Sequence, residues 1–87
     1  MSFISYGVRF GLRVNRPEAL HELLAYLPGD WHPARSPVVE RMYSLLIGGP
    51  GPRPNVRRFH LLYGNAERLA RTLEFAALCE ALETDLQ

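Results

Sequence analysis

Ile4-Ser5-Tyr6-Gly7-Val8-Arg9-Phe10-Gly11-Leu12-Arg13-Val14 is the stretch on which the fold turns. Its even positions are apolar or aromatic and its odd positions are Ser, Gly or Arg. A repeat of two is the period of a half-buried β-strand, since successive side chains leave a strand on opposite faces. The alternation predicts one strand that turns Ile4, Tyr6, Val8, Phe10, Leu12 and Val14 to a core. Arg9 and Arg13 then point the other way, with Gly7 and Gly11 between them.

Outward from that strand the punctuation is clear. Asn15 is placed to cap a helix, and Glu18 three residues on completes a capping box. Leu20, Leu23, Leu24 and Leu27 recur at helical spacing, and Pro28-Gly29 ends the run. A loop punctuated by Pro28, Pro33 and Pro37 and containing Trp31 leads to a second strand, Val38 to Ile47, with Val39, Tyr43, Leu45 and Ile47 on one side and Arg41 interrupting it. Gly48 to Asn55 holds Pro50, Pro52 and Pro54 and is expected to form the long tip of a hairpin. A third strand is expected over Val56 to Tyr63, with Arg58, His60 and Leu62 facing one way and Phe59, Leu61 and Tyr63 the other. Asn65 then caps a second helix. Leu69, Leu73 and Ala76 form one stripe on it, and Phe75, Leu78, Leu82 and Leu86, with Cys79, form another. Two stripes so rotated cannot both lie on one surface of a straight helix, so either the helix breaks near Thr72 to Glu74 or its second half packs on something other than this sheet.

The expected order is β-α-β-β-α. The simplest assembly is an α+β, two-layer domain: a three-stranded antiparallel sheet with helices on one face, in the ferredoxin-like order 2-3-1 with the first strand beside the third. Its 87 residues make one small domain with one core, and 47% apolar with 22% charged residues is an ordinary globular composition. No apolar run nears the ~18–20 residues of a membrane-spanning helix. A single cysteine, Cys79, excludes an internal disulfide and fits a reducing, cytoplasmic setting. The net charge of +1 exerts no strong pull toward nucleic acid or membrane.

Catalytic, cofactor-binding and metal-binding constellations do not emerge. The prolines of the Gly/Pro connector remove backbone donors that a phosphate cradle needs, and no P-loop pattern occurs. His21, His32, His60 and Cys79 lack metal-ligand spacing, and the serines lie in no nucleophile-elbow context. Two features do stand out. Arg9, Arg13, Arg58 and His60 are expected to share the sheet's open face, as an interaction surface. Phe75, Leu78, Leu82 and Leu86 form a stripe with nothing evident in the sequence to cover it, as expected of a helix that packs on a partner. Nucleic acid is disfavoured on the arginine face, because the outward positions of the first strand lack stacking aromatics and Val56 to Leu61 does not follow the RNP1 pattern.

Gly7 to Val14, Leu24 to Pro28, Arg41 to Ser44, Arg58 to Tyr63 and Leu78 to Leu86 together resemble the N-terminal region of bacterial HPr-serine-kinase-like proteins. In those proteins a P-loop domain follows and carries nucleotide binding and any phosphoryl transfer, so no catalytic or phosphate-binding residue transfers to this chain. The resemblance implies that residues 1–87 are an N-terminal piece of a longer chain. It implies a non-catalytic accessory domain, with the following domain, a second copy or a protein substrate as partner. The alternative is a self-contained ligand- or nucleic-acid-binding module on the arginine face.

Overall fold

The computed structural model describes residues 1–36, 38–51, 53–55 and 57–87; Pro37, Pro52 and Val56, which figured in the expected loop, hairpin tip and third strand, lie outside them. The opening stretch is two strands, β1 (Ser2–Ser5) and β2 (Val8–Val14), paired antiparallel with Phe3 opposite Phe10 and Ser5 opposite Val8. Tyr6 and Gly7 form the two-residue turn between them, at φ of 50° and 76°. Positive φ at both central residues is the mark of a type I′ turn, whose twist matches the strands it joins. The turn changes the parity of the alternation. Phe3 and Ser5 are buried while Ile4 faces the other side, and Tyr6 is 79% exposed at the tip. Beyond the turn Leu12 is buried, with Phe10 and Val14 packed against the core, as the alternation predicts.

The connection through residues 15–40 carries helix α1 (Glu18–Leu23), a 3₁₀ turn (Leu24–Tyr26) and the two-residue strand β3 (His32–Pro33), which pairs with β1. It delivers β4 (Arg41–Leu46) beside β2 and parallel to it, Leu12 opposite Tyr43. A long helical crossover is what a parallel neighbour requires. The expected antiparallel sheet with the first strand beside the third is therefore corrected: β4 lies between. Asn15 does not cap α1. Its carboxamide instead extends the ladder, accepting from Ile47 N at 2.7 Å and donating to Ile47 O at 3.1 Å. Pro17 holds the N-cap position of α1 without a side-chain hydrogen bond.

After β4 the chain makes a small separate ribbon, β5 (Gly49–Pro50) with β6 (Arg57–Arg58), then returns as β7 (His60–Gly64), antiparallel to β4. Asn65-Ala66 is a tight turn, not a helix start, and β8 (Glu67–Thr72) pairs antiparallel with β7. Helix α2 occupies only Phe75–Leu86. The sheet is thus mixed and six-stranded, ordered β3-β1-β2-β4-β7-β8. The two stripes that no single helix could bury are split by a break at Leu73 and Glu74: Leu69 lies on β8, while Ala76 and the whole second stripe lie on α2. Leu69 and Ala70 pack toward the core from β8, where a bulge opposite Leu62 and Tyr63 lets two consecutive residues face the same side.

Both helices cover one face of the sheet. Leu23 and Leu27 from the first helical segment and Leu78, Cys79, Leu82 and Leu86 from α2 share a core with Phe3, Leu12, Tyr43, Leu45 and Leu62. The stripe assigned to an outside partner is in fact the packing face of α2 on this chain's own sheet: Leu78 and Leu82 are fully buried, Leu86 nearly so, and Phe75 is half-buried against His60. The last turn of α2 is fastened to β4, where Tyr43 Oη donates to Asp85 Oδ2 at 2.6 Å and Arg41 Nη2 pairs with the same oxygen at 2.9 Å. Charge follows the layers. Glu18, Glu22, Glu80, Glu83 and Asp85 lie on the helices and no arginine does, whereas Arg9, Arg13, Arg68 and Arg71 lie on the strands, together with Glu67 and with Arg41, which pairs with Asp85 on the helix side.

Candidate interaction face

The side of the sheet turned away from the helices is the candidate site. Strand pairing arranges it in rows. One runs Arg13, Ser44, Tyr63, Arg68 across β2, β4, β7 and β8, and the next runs Leu46, Leu61, Arg71. A third, Ser2, Gly11, Met42, lies toward the other end. Part of that end is covered by this chain's own connection: Ser2 Oγ donates to Ala34 O and Ser36 O, and Val39 lies close over Gly11. Met42 also lies over Gly11, so closely that a Cβ there would stand 2.8 Å from its sulfur. The remaining rows are free of cover among the described residues. Leu46 is 45% exposed and Phe59, just ahead of β7, is 40% exposed. Arg13 is held toward the strip by donating to Ser44 Oγ at 3.1 Å, and the Arg71 guanidinium lies 4.0 Å over the Phe59 ring. Arg13, Ser44, Leu46 and Tyr63 line a shallow cavity of about 350 Å³.

Of the four residues expected together, the structure unites two. Arg9 and Arg13 share the open face, four residues apart on β2. Arg58 sits exposed in the separate β5–β6 ribbon, where it pairs with Gly49. His60 is only 8% exposed and lies on the core side of β7. The two-stranded ribbon ends at Arg58 and β7 begins at His60, so the expected continuous strand is broken and its facing reversed: His60 and Leu62 point in, Leu61 and Tyr63 out. His60 Nδ1 accepts from Gly48 N at 2.9 Å, and burial, reinforced by nearby Arg57, holds its imidazolium form below the usual histidine range. Arg68, Arg71, Leu46, Leu61, Tyr63 and Phe59 were not anticipated as one surface. The available signal was the turn-forming Gly64-Asn65 directly after an apolar run, which reads as a hairpin as readily as a helix cap.

A larger groove of about 650 Å³ opens at the Ser2, Gly11, Met42 end of the sheet, lined also by Met1, Trp31 and Val39. Cys79 is enclosed in the core, and burial pushes its thiol up to about 11, the opposite of an activated nucleophile. Among the described residues no three His, Cys, Asp or Glu side chains gather as a metal site would need, and no helix is long and apolar enough to cross a membrane. Comparison with known protein families, with curated proteins and with solved structures finds no match to this chain.

Proposed function

We propose that this chain is a non-catalytic interaction domain, of the kind its sequence resemblance places at the N-terminus of HPr-serine-kinase-like ATP-dependent proteins, working in a reducing, cytoplasmic setting. The observation that carries the proposal is the open sheet face. Its arginines, Leu46 and Phe59 are exposed and Leu61, Tyr63 and Met42 half-buried; Arg, Tyr, Phe and Met are residue types enriched where proteins meet, and no carboxylate stands in the three rows among the described residues. The α2 stripe forms no part of this surface, because it packs on the chain's own sheet. The partner proposed is a P-loop ATP-binding domain, whether on the same chain or on another, and phosphoryl transfer belongs to that partner.

The test is to mix the purified chain with the P-loop domain of an HPr-serine-kinase-like protein and measure mass by light scattering after size exclusion. A one-to-one complex that is lost in Leu46→Asp, a substitution at an exposed position, is the expected result. Two unassociated species with the native chain would overturn the proposal.

A further inference from the structure

The rows of the open face have a cross-section. Apolar side chains run down its middle on β4 and β7, namely the exposed Leu46 and the half-buried Leu61 and Tyr63, with the exposed Phe59 continuing the line. Arginines stand on both margins: Arg13 on β2, and Arg68 and Arg71 on β8. From β2 to β8 there are three inter-strand gaps, or roughly 14 Å at ~4.8 Å each. An α-helix with its side chains is about 10–12 Å across. One helix lying along β4 and β7 therefore fills the strip and brings its two flanks to the two arginine margins.

Resting on the interaction-domain reading, we infer that the occupant of this face is an amphipathic α-helix of a partner protein, apolar along its centre and acidic along both margins. Charge complementarity selects the acidic flanks. The apolar centre selects a protein over a nucleic acid, and Arg71 reinforces that choice. Its guanidinium already covers the Phe59 ring, the surface on which a base would stack. Arg13, hydrogen-bonded to Ser44, is likewise pre-oriented, so little side-chain freedom is lost when a carboxylate arrives.

The experiment uses two synthetic helical peptides of equal length, each with a Leu/Ala face, one flanked on both sides by Glu and the other by Lys. Each is titrated into the isotope-labelled chain and followed through backbone amide shifts. The Glu-flanked peptide is expected to shift Arg13, Ser44, Leu46, Leu61, Tyr63 and Arg71, with affinity falling at least ~10-fold from low to high salt. The Lys-flanked peptide is expected to bind about tenfold or more weakly. In the double variant Arg13→Glu, Arg71→Glu the preference between peptides reverses, and since both positions are exposed an unchanged spectrum away from the face certifies the fold. Equal binding of both peptides, shifts confined to the helices, concentration-dependent self-association through this face, or its occupation by single-stranded RNA instead would each overturn the inference. A P-loop domain that shifts the face while the Glu-flanked peptide does not overturns the helix and leaves the interaction reading standing; a face that neither shifts overturns both.

Discussion

His60 is a buried base whose one acceptor nitrogen is already in use. Protonating Nδ1 would cost the hydrogen bond from Gly48 N and place a charge in a buried site beside Phe75, close to Arg57. Because the folded pKa lies below the unfolded value of about 6.5, the unfolded chain binds the extra proton first. Stability is therefore full above about pH 6.5 and declines as pH falls through the interval below it. Urea midpoints measured from pH 8 to pH 5 are expected to show that decline, and His60→Gln is expected to flatten it; an unchanged slope in the variant would remove His60 as the cause. Tyr43 is the alkaline counterpart. Burial, helped by its hydrogen bond to Asp85, raises its phenol from 10.0 to about 12. The unfolded chain loses that proton first, so stability present below pH 10 is lost as pH rises toward 12. Tyr43→Phe is expected to cost about 1 kcal/mol at neutral pH, an ordinary hydrogen-bond loss, and to weaken the alkaline decline, both readable by denaturant titration. Asp30 works at the other hairpin: it accepts from the buried Ser5 hydroxyl at 2.7 Å and from Tyr6 N at 2.9 Å, and those bonds hold its carboxyl below the usual range.

At the scale of elements, α2 decides whether the domain stands on its own packing. Leu82 has no exposed surface and lies in the shared core, so Leu82→Ala is expected to destabilise by roughly 2–5 kcal/mol, as core truncations do. Loss of that size in the isolated chain, by chemical denaturation, distinguishes an internal packing face from a partner-facing stripe, where truncation would be nearly silent. The first helical segment, β2 and β4 were legible in the sequence because their periods were clean: Leu23 and Leu27, Leu12 and Val14, Tyr43 and Leu45 all face as their spacing dictates. Strand β8 was not. Arg68, Leu69, Ala70 and Arg71 are compatible with a helix by local propensity, and the bulge that sends Leu69 and Ala70 to the same side erases the alternation of two that marks a strand. The β1–β2 turn was missed for a related reason. A two-residue turn at Tyr6-Gly7 leaves the apolar alternation unbroken in the sequence while reversing the chain in space. The open face was only partly legible in consequence, since half of its arginines come from β8. Gly48 shows a constraint no pattern announces: the backbone of Arg58 and Phe59 passes so close that a side chain there has no room, and Gly48→Ala is expected to lower the melting temperature.

For the whole molecule, the layering of charge matters more than its total. A net charge of +1 says little about partners, yet the helix layer exposes Glu18, Glu22, Glu80 and Glu83 and the far side of the sheet carries Arg9, Arg13, Arg68 and Arg71, while Asp85 is paired with Arg41. Opposite charges on opposite faces of one small body make a permanent dipole directed across the sheet. In the field of an acidic partner such a body turns before it touches, so more of its encounters arrive sheet-first. The consequence is kinetic: the association rate constant, followed by stopped flow, is expected to drop steeply as ionic strength rises while the dissociation rate changes little. Glu80→Lys with Glu83→Lys, on the face opposite the proposed partner surface, is expected to slow association by weakening the dipole, even though it makes the domain more positive. A molecule whose approach depended on net charge alone would do the reverse.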